Sequence, residues 1–201
     1  MCHRMVPIPM KAVEEIIKDI ENGLAVQAKD HWPAGATSAY PKSEVSLIVP
    51  HAEKLEAEVM KWGYAPSWSK TVHFNARAET AMRPEYNMWA ESLHNRRCII
   101  PAFGFYEPHQ SETIRNPQTG KIQKQQYLFS SPTEPVLFIA GIHEDGYFSM
   151  MTTESCDLMR PIHNRMPVVL AQDEIDTWLH GDYASLFERG GVQLKAEKAA
   201  S

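Results

Sequence analysis

Between Met10 and Asn22 the apolar residues Val13, Ile16, Ile17 and Ile20 recur three or four apart, which puts them on one face of a helix, with Gly23 as the stop. Residues 31–42, rich in Pro, Gly and Ala, read as a loop, and the β-branched run Val45–Val49 as a strand. Lys54–Trp62 is ambiguous: its residue types favour a helix, yet Leu55, Ala57 and Val59 alternate with charges as in a half-exposed strand. Arg83–Asn95 reads as a helix with Pro84 in its first turn. Cys98–Glu107 is apolar and aromatic, broken by Pro101 and Gly104 into two predicted short strands. Further strands are predicted at Gln126–Ser130, Val136–Ile142, Tyr147–Thr152 and Pro167–Leu170. Ser111–Gln125 reads as an exposed hairpin or excursion. Helices are predicted at Asp173–Leu179 and Tyr183–Glu188, and a frayed tail from about residue 190 to 201.

Many strands and few helices, without regular βαβ alternation, predict an α+β fold. The length of 201 residues suits a single domain. No apolar run reaches the roughly 20 residues of a membrane span, and the first ten residues lack the apolar core of a secretory signal. A cytoplasmic protein without membrane contact is expected. The net charge of −5 argues against strong, sequence-blind duplex binding, but not against a local basic groove. The three cysteines, Cys2, Cys98 and Cys156, are odd in number and form no C-x-x-C pair, so neither a disulfide framework nor a metal site is expected. Cys98 and Cys156 read as small buried hydrophobes.

Cys2 differs by its position. Removal of Met1 would leave it as the N-terminal residue, with an α-amine and a thiol on adjacent carbons. Both titrate within about two pH units of neutrality. Such a pair traps an aldehyde: the amine condenses to an imine and the sulfur closes on the imine carbon, giving a five-membered thiazolidine. No internal cysteine can do this, because its nitrogen is held in a peptide bond.

Four further segments accompany it: WGYAP at 62–66, FNARAET at 74–80, FGFYE at 103–107 and PIHNRMP at 161–167. Taken singly, Glu107 also reads as a carboxylate in a surface ion pair, His163 as a loop histidine and Asn75 as a turn or cap residue. In this order, behind MCHR, the segments resemble the SOS-response-associated peptidase (SRAP) family, from residue 2 to about residue 180. The resemblance implies a single domain with a mixed, mostly antiparallel, β-barrel-like core and a few flanking helices. It implies a protein that bonds covalently to abasic sites in single-stranded DNA and at single-strand/double-strand junctions, without a cofactor and as a monomer, in a bacterium or a phage-infected host. A strand-cleaving lyase step and self-removal of Met1 are further implied possibilities.

By motif, the catalytic set falls on Cys2, Asn75, Glu107 and His163. Glu107, in an aromatic strand, would be desolvated and shuttle a proton. His163 would donate near neutrality, and the Asn75 amide would orient the α-amine. Arg4, Arg77 and Arg165 would hold phosphates, Trp68 would stack on a base, and Pro41 and Thr152 would line the DNA groove. The chain departs from the family pattern at His3, where Gly is usual, at Ser69, where a second aromatic is frequent, and at Ser38, where Asn is expected. Two other readings stay open: a thiol peptidase using Cys2 and His163, acting on itself or on other proteins, and a noncatalytic module that reads DNA or modified bases.

Overall fold

The structure, a computed structural model, describes residues 2–29, 31–32, 37–66, 69–83, 85 and 87–199. In chain order its elements are β1 (Arg4–Pro7), α1 (Met10–Glu21), β2 (Glu44–His51), β3 (Lys54–Trp62), β4 (Asn75–Arg77), α2 (Ala78–Ala81), α3 (Ala90–Asn95), β5 (Arg97–Arg115), β6 (Ile122–Ser130), β7 (Leu137–Glu144), β8 (Tyr147–Glu154), β9 (Arg165–Pro167), β10 (Val169–Leu170), α4 (Ile175–His180) and β11 (Lys195–Lys198). Strand β5 pairs with β2 and β7, β7 with β8, β8 with β3 and β3 with β2, so five strands close a ring. The β3–β8 and β4–β8 pairs are parallel and the other pairs antiparallel. This is the mixed, mostly antiparallel α+β fold expected. Among the described residues no helix is long and apolar enough to cross a membrane.

The two-residue period of the strands divides the core in two. Val45, Leu47 and Val49 of β2, Met60 and Trp62 of β3, Ile100 and Phe105 of β5, Ile139 of β7 and Phe148 and Met150 of β8 share one cluster that fills the ring. Ile48, Ile99, Phe138, Ala140 and Met151 point the other way, where Val13, Ile16 and Ile17 of α1 and Trp178 of α4 cover them. Burying each of those α1 side chains contributes about 1.5–3 kcal/mol, which holds a helix whose N-terminus has no side-chain cap. Cys2 belongs to the cluster inside the ring.

Lys54–Trp62, open between helix and strand in the sequence, is a strand, because Lys54–Lys61 pairs with β2 and Trp62 with β8. Several other local expectations are corrected. Among the described residues of Arg83–Asn95, the α-helix is confined to Ala90–Asn95. The Asn87 side chain interrupts the pattern by donating to the carbonyls of Arg83 (3.4 Å) and Glu85 (3.3 Å) and accepting from the Trp89 N–H (3.0 Å). Pro84 lies outside the described residues. The two strands expected in Cys98–Glu107 are one continuous strand of 19 residues. Pro101 fits because its carbonyl still accepts from the Ile8 N–H (3.3 Å), and Gly104 because a side chain there would meet the Phe129 carbonyl oxygen at 2.5 Å. The strand expected at Pro167–Leu170 divides into β9 and β10, as Val168 passes the chain from β8 to β7. Residues 184–187, inside the helix expected at Tyr183–Glu188, form a 3₁₀ turn. Lys195–Lys198, expected to fray, is β11, paired along β6. Strands β1 and β4 have no counterpart in the hydrophobic pattern; both are short and carry site residues.

Candidate active site

Strand β1 brings the chain start onto β5: Arg4 lies opposite Tyr106 and Met5 opposite Phe105. Cys2 precedes this pairing and is 1% exposed, its Sγ 3.5 Å from the Arg4 carbonyl oxygen. Burial and the neighbouring charge of Glu107 both push its thiol pKa up, so the sulfur stays protonated.

Glu107 follows Phe105 on the inward face of β5 and is 0% exposed. Burial lifts its carboxyl from the ordinary 4.5 to about 7. A carboxyl in that range holds its proton for about half the time at neutral pH and can give or take one.

Asn75 opens β4, which lies parallel to β8 with Asn75 opposite Met150. The WGYAP segment sets the approach to this strand. Gly63 sits at φ 112°, and a Cβ there would come within 2.3 Å of Val72. The Trp62 indole N–H donates to the Phe74 carbonyl at 2.9 Å, fixing the residue next to Asn75. The Asn75 Nδ2 donates to the Cys2 carbonyl at 2.7 Å, across 73 residues of sequence. Its Oδ1 is buried and makes no hydrogen bond among the described residues. The grip is on the carbonyl of Cys2, where the motif had suggested its nitrogen.

His163 is half-buried on the loop between β8 and β9, and burial lowers its pKa. Its Nδ1 lies 3.0 Å from the Arg165 backbone nitrogen and 3.1 Å from the Arg165 carbonyl oxygen, so either neutral tautomer finds a partner on that residue. The loop is tied to β5 just beyond Glu107: the Gln110 N–H donates to the Ile162 carbonyl at 3.0 Å and the Gln110 side chain to the Arg160 carbonyl at 3.2 Å.

The predicted DNA-facing residues have different surroundings. Arg77 is exposed and, with Arg160, His163 and Arg165, lines a groove of about 800 Å³. Arg165 is held by Glu79, Nη1 to Oε1 at 2.9 Å and Nη2 to Oε2 at 2.9 Å, and donates again to the Thr152 carbonyl at 2.8 Å. Thr152 is 1% exposed, and Arg165 also reaches its side-chain Oγ1 at 3.4 Å. The Arg4 guanidinium lies 3.8 Å over the Tyr106 ring, and its Nε donates to Ser38 Oγ at 2.9 Å. Pro41 is partly exposed in the turn before β2. Trp68 lies outside the described residues. The sequence reading missed Glu79 and Arg160. Glu79 stands inside FNARAET, but its partner is 86 residues away and no local pattern announces the pair.

A family model, SOS response associated peptidase (SRAP), matches residues 1–195. The chain belongs to the SRAP family. Over 155 residues, 70% of the chain, it is 32% identical to the abasic site processing protein YoaM of Bacillus subtilis. It is 27% identical over 165 residues, 82% of the chain, to the abasic site processing protein YedK of Escherichia coli, of which 72% is covered. The chain spans 63% of YoaM, less than two thirds of that relative's length. A crystal structure of a Bordetella bronchiseptica protein shares this SRAP fold, with a TM-score of 0.71 at 22% identity over 100% of both chains.

Proposed function

We propose that this SRAP protein captures abasic sites in single-stranded DNA as a covalent thiazolidine on Cys2. The observation that carries the reading is a buried carboxyl, Glu107, tuned to about 7 beside a buried Cys2 whose carbonyl Asn75 holds. The names of the SRAP relatives, abasic site processing proteins, support the substrate class.

Removal of Met1 frees the α-amine. The unpaired Asn75 Oδ1 is then an acceptor for that amine, while Nδ2 keeps the carbonyl in place. The closed abasic sugar is a hemiacetal. Protonated Glu107 donates to its ring oxygen, the C1–O bond breaks, the C1 hydroxyl gives its proton to water, and the aldehyde is exposed. The amine adds to the aldehyde carbon and water leaves, giving the imine. The thiol adds across the C=N bond: its sulfur bonds to carbon, and its proton passes by way of the Glu107 carboxylate to the nitrogen. The sum is aldehyde plus N-terminal cysteine giving thiazolidine plus one water. His163, neutral because burial lowers its pKa, offers a ring N–H to the departing sugar oxygen or to a phosphate. Arg77 and Arg160 offer cationic contacts for the strand in the adjoining groove.

The relatives' names, abasic site processing proteins, favour this over a thiol peptidase.

Intact-mass spectrometry of the Met1-free protein, incubated with an oligonucleotide carrying one abasic site, tests the reading. The expected product has the summed mass less one water and survives heating. An equally heat-stable adduct from Cys2→Ala would overturn the thiazolidine assignment.

A further inference from the structure

We infer that Tyr40 is a stacking platform for a nucleobase next to the captured sugar; this rests on the proposed reaction at Cys2. Tyr40 is 47% exposed, and among the described residues it is the one aromatic with that much of its surface in water. A lone exposed apolar side chain is ordinary, and three observations set this one apart.

First, its backbone is rigid. Ala39 exchanges two hydrogen bonds with Met5, at 3.1 and 2.8 Å, so this segment extends the sheet beside β1. The Tyr40 N–H donates to Ser43 Oγ at 3.1 Å, its carbonyl accepts the Ser43 N–H at 2.9 Å, and Lys42 is tied to the Trp62 carbonyl at 2.8 Å. A ring on such a turn loses little freedom when a ligand stacks on it.

Second, a cation stands beside it. The Arg4 guanidinium packs 3.8 Å over Tyr106 but is 6.0 Å from the centre of the Tyr40 ring. Arg4 is thus seated on one aromatic while the other keeps much of its ring surface open. A π-face next to a guanidinium matches the two parts of a nucleotide, a flat base and an anionic phosphate.

Third, the distance is right. Arg4 is two residues from Cys2, about 7 Å along an extended chain. Tyr40, on the segment that pairs with β1 at Met5, flanks the point where the sugar would be held. A base on a neighbouring nucleotide is the group that reaches it.

The test uses oligonucleotides with a central tetrahydrofuran, an abasic analogue with no aldehyde, so that binding is read without capture. In a companion set each flanking base is replaced in turn by a further tetrahydrofuran. Fluorescence anisotropy with wild type, Tyr40→Phe and Tyr40→Ala gives the affinities. Tyr40→Ala should bind the parent oligonucleotide about tenfold more weakly, and Tyr40→Phe within about threefold of wild type. Removing one particular flanking base should cost the wild type about tenfold and leave Tyr40→Ala unchanged, since the two losses remove one contact. Equal binding by wild type and Tyr40→Ala, or an alanine defect of the same size on every oligonucleotide of the set, would overturn the inference. The reading beneath it is checked separately with a true abasic oligonucleotide. If wild type forms no heat-stable adduct there, the proposed reaction fails; if it does while Tyr40→Ala binds normally, the platform alone fails.

Discussion

The Asn75 amide donates to the Cys2 carbonyl at 2.7 Å, joining the chain start to a strand 73 residues later. The bond fixes where the nitrogen and sulfur of Cys2 sit relative to Glu107. Asn75→Ala removes it and leaves the Cys2 carbonyl without that donor. Single-turnover crosslinking should slow about tenfold to a hundredfold, with affinity for intact single-stranded DNA changed little, as expected for a group that orients a nucleophile. Gel quantitation of adduct against time, beside anisotropy on undamaged DNA, separates rate from binding.

Cys2→Ser keeps the α-amine but replaces the sulfur with a poorer nucleophile. It should still form an imine that borohydride traps, while the heat-stable product is lost. Borohydride-dependent adduct from Cys2→Ser and none from a chain retaining Met1 would identify the amine as the first nucleophile.

Glu107 sets a pH dependence whose sign is determined by burial. Its pKa rises from 4.5 to about 7 on folding, so the folded chain binds this proton more tightly than the unfolded one. Stability is highest below the unfolded value, falls as pH rises through the folded value, and levels off above it. The whole loss is about 3 kcal/mol at most. Glu107→Gln removes the titration. Its urea midpoint relative to wild type should be higher at about pH 8 than at about pH 5, while crosslinking falls sharply at both. A difference between the two proteins that does not change with pH would contradict the tuned carboxyl.

The Glu79–Arg165 pair connects the helix after β4 to the residue whose backbone holds His163. Glu79 is half exposed, so the pair adds about 1 kcal/mol or less to stability. Its larger effect should be on geometry. Glu79→Ala should shift the melting temperature slightly and lower the crosslinking rate severalfold, with DNA affinity equal to wild type or stronger because one negative charge is gone. Calorimetry and single-turnover rates check the two halves.

Gly63→Ala should be among the more damaging single-methyl changes. The residue holds φ 112°, and the added carbon would come 2.3 Å from Val72. A loss of about 1–3 kcal/mol is expected, read as a lower thermal midpoint. Crosslinking should slow as well, since the same turn delivers β4 and Asn75.

Much of the architecture was legible in the chain because period and turn chemistry are local. Helix α1 was predicted from the spacing of Val13, Ile16, Ile17 and Ile20, and β2, β7 and β8 from their apolar runs. What misled was competition from outside the window. Asn87 bonds its neighbours' backbone, and among the described residues there the helix is confined to Ala90–Asn95. Pro101 and Gly104, breakers in isolation, lie inside one strand because β7 pairs with the first and β1 with the second.

At the site, residue types by themselves determined the available chemistry: an amine and a thiol on one residue, a carboxyl in an aromatic strand, an imidazole and an amide in short motifs. Those are properties of covalent structure and neighbouring sequence. Only the tertiary structure decided that Glu107 is closed off from water and titrates near neutrality, that Asn75 grips the carbonyl of Cys2, and that Arg165 is held by Glu79. Each depends on desolvation or on a partner 73 or more residues away, and such distances are set by strand pairing rather than by anything written within a motif.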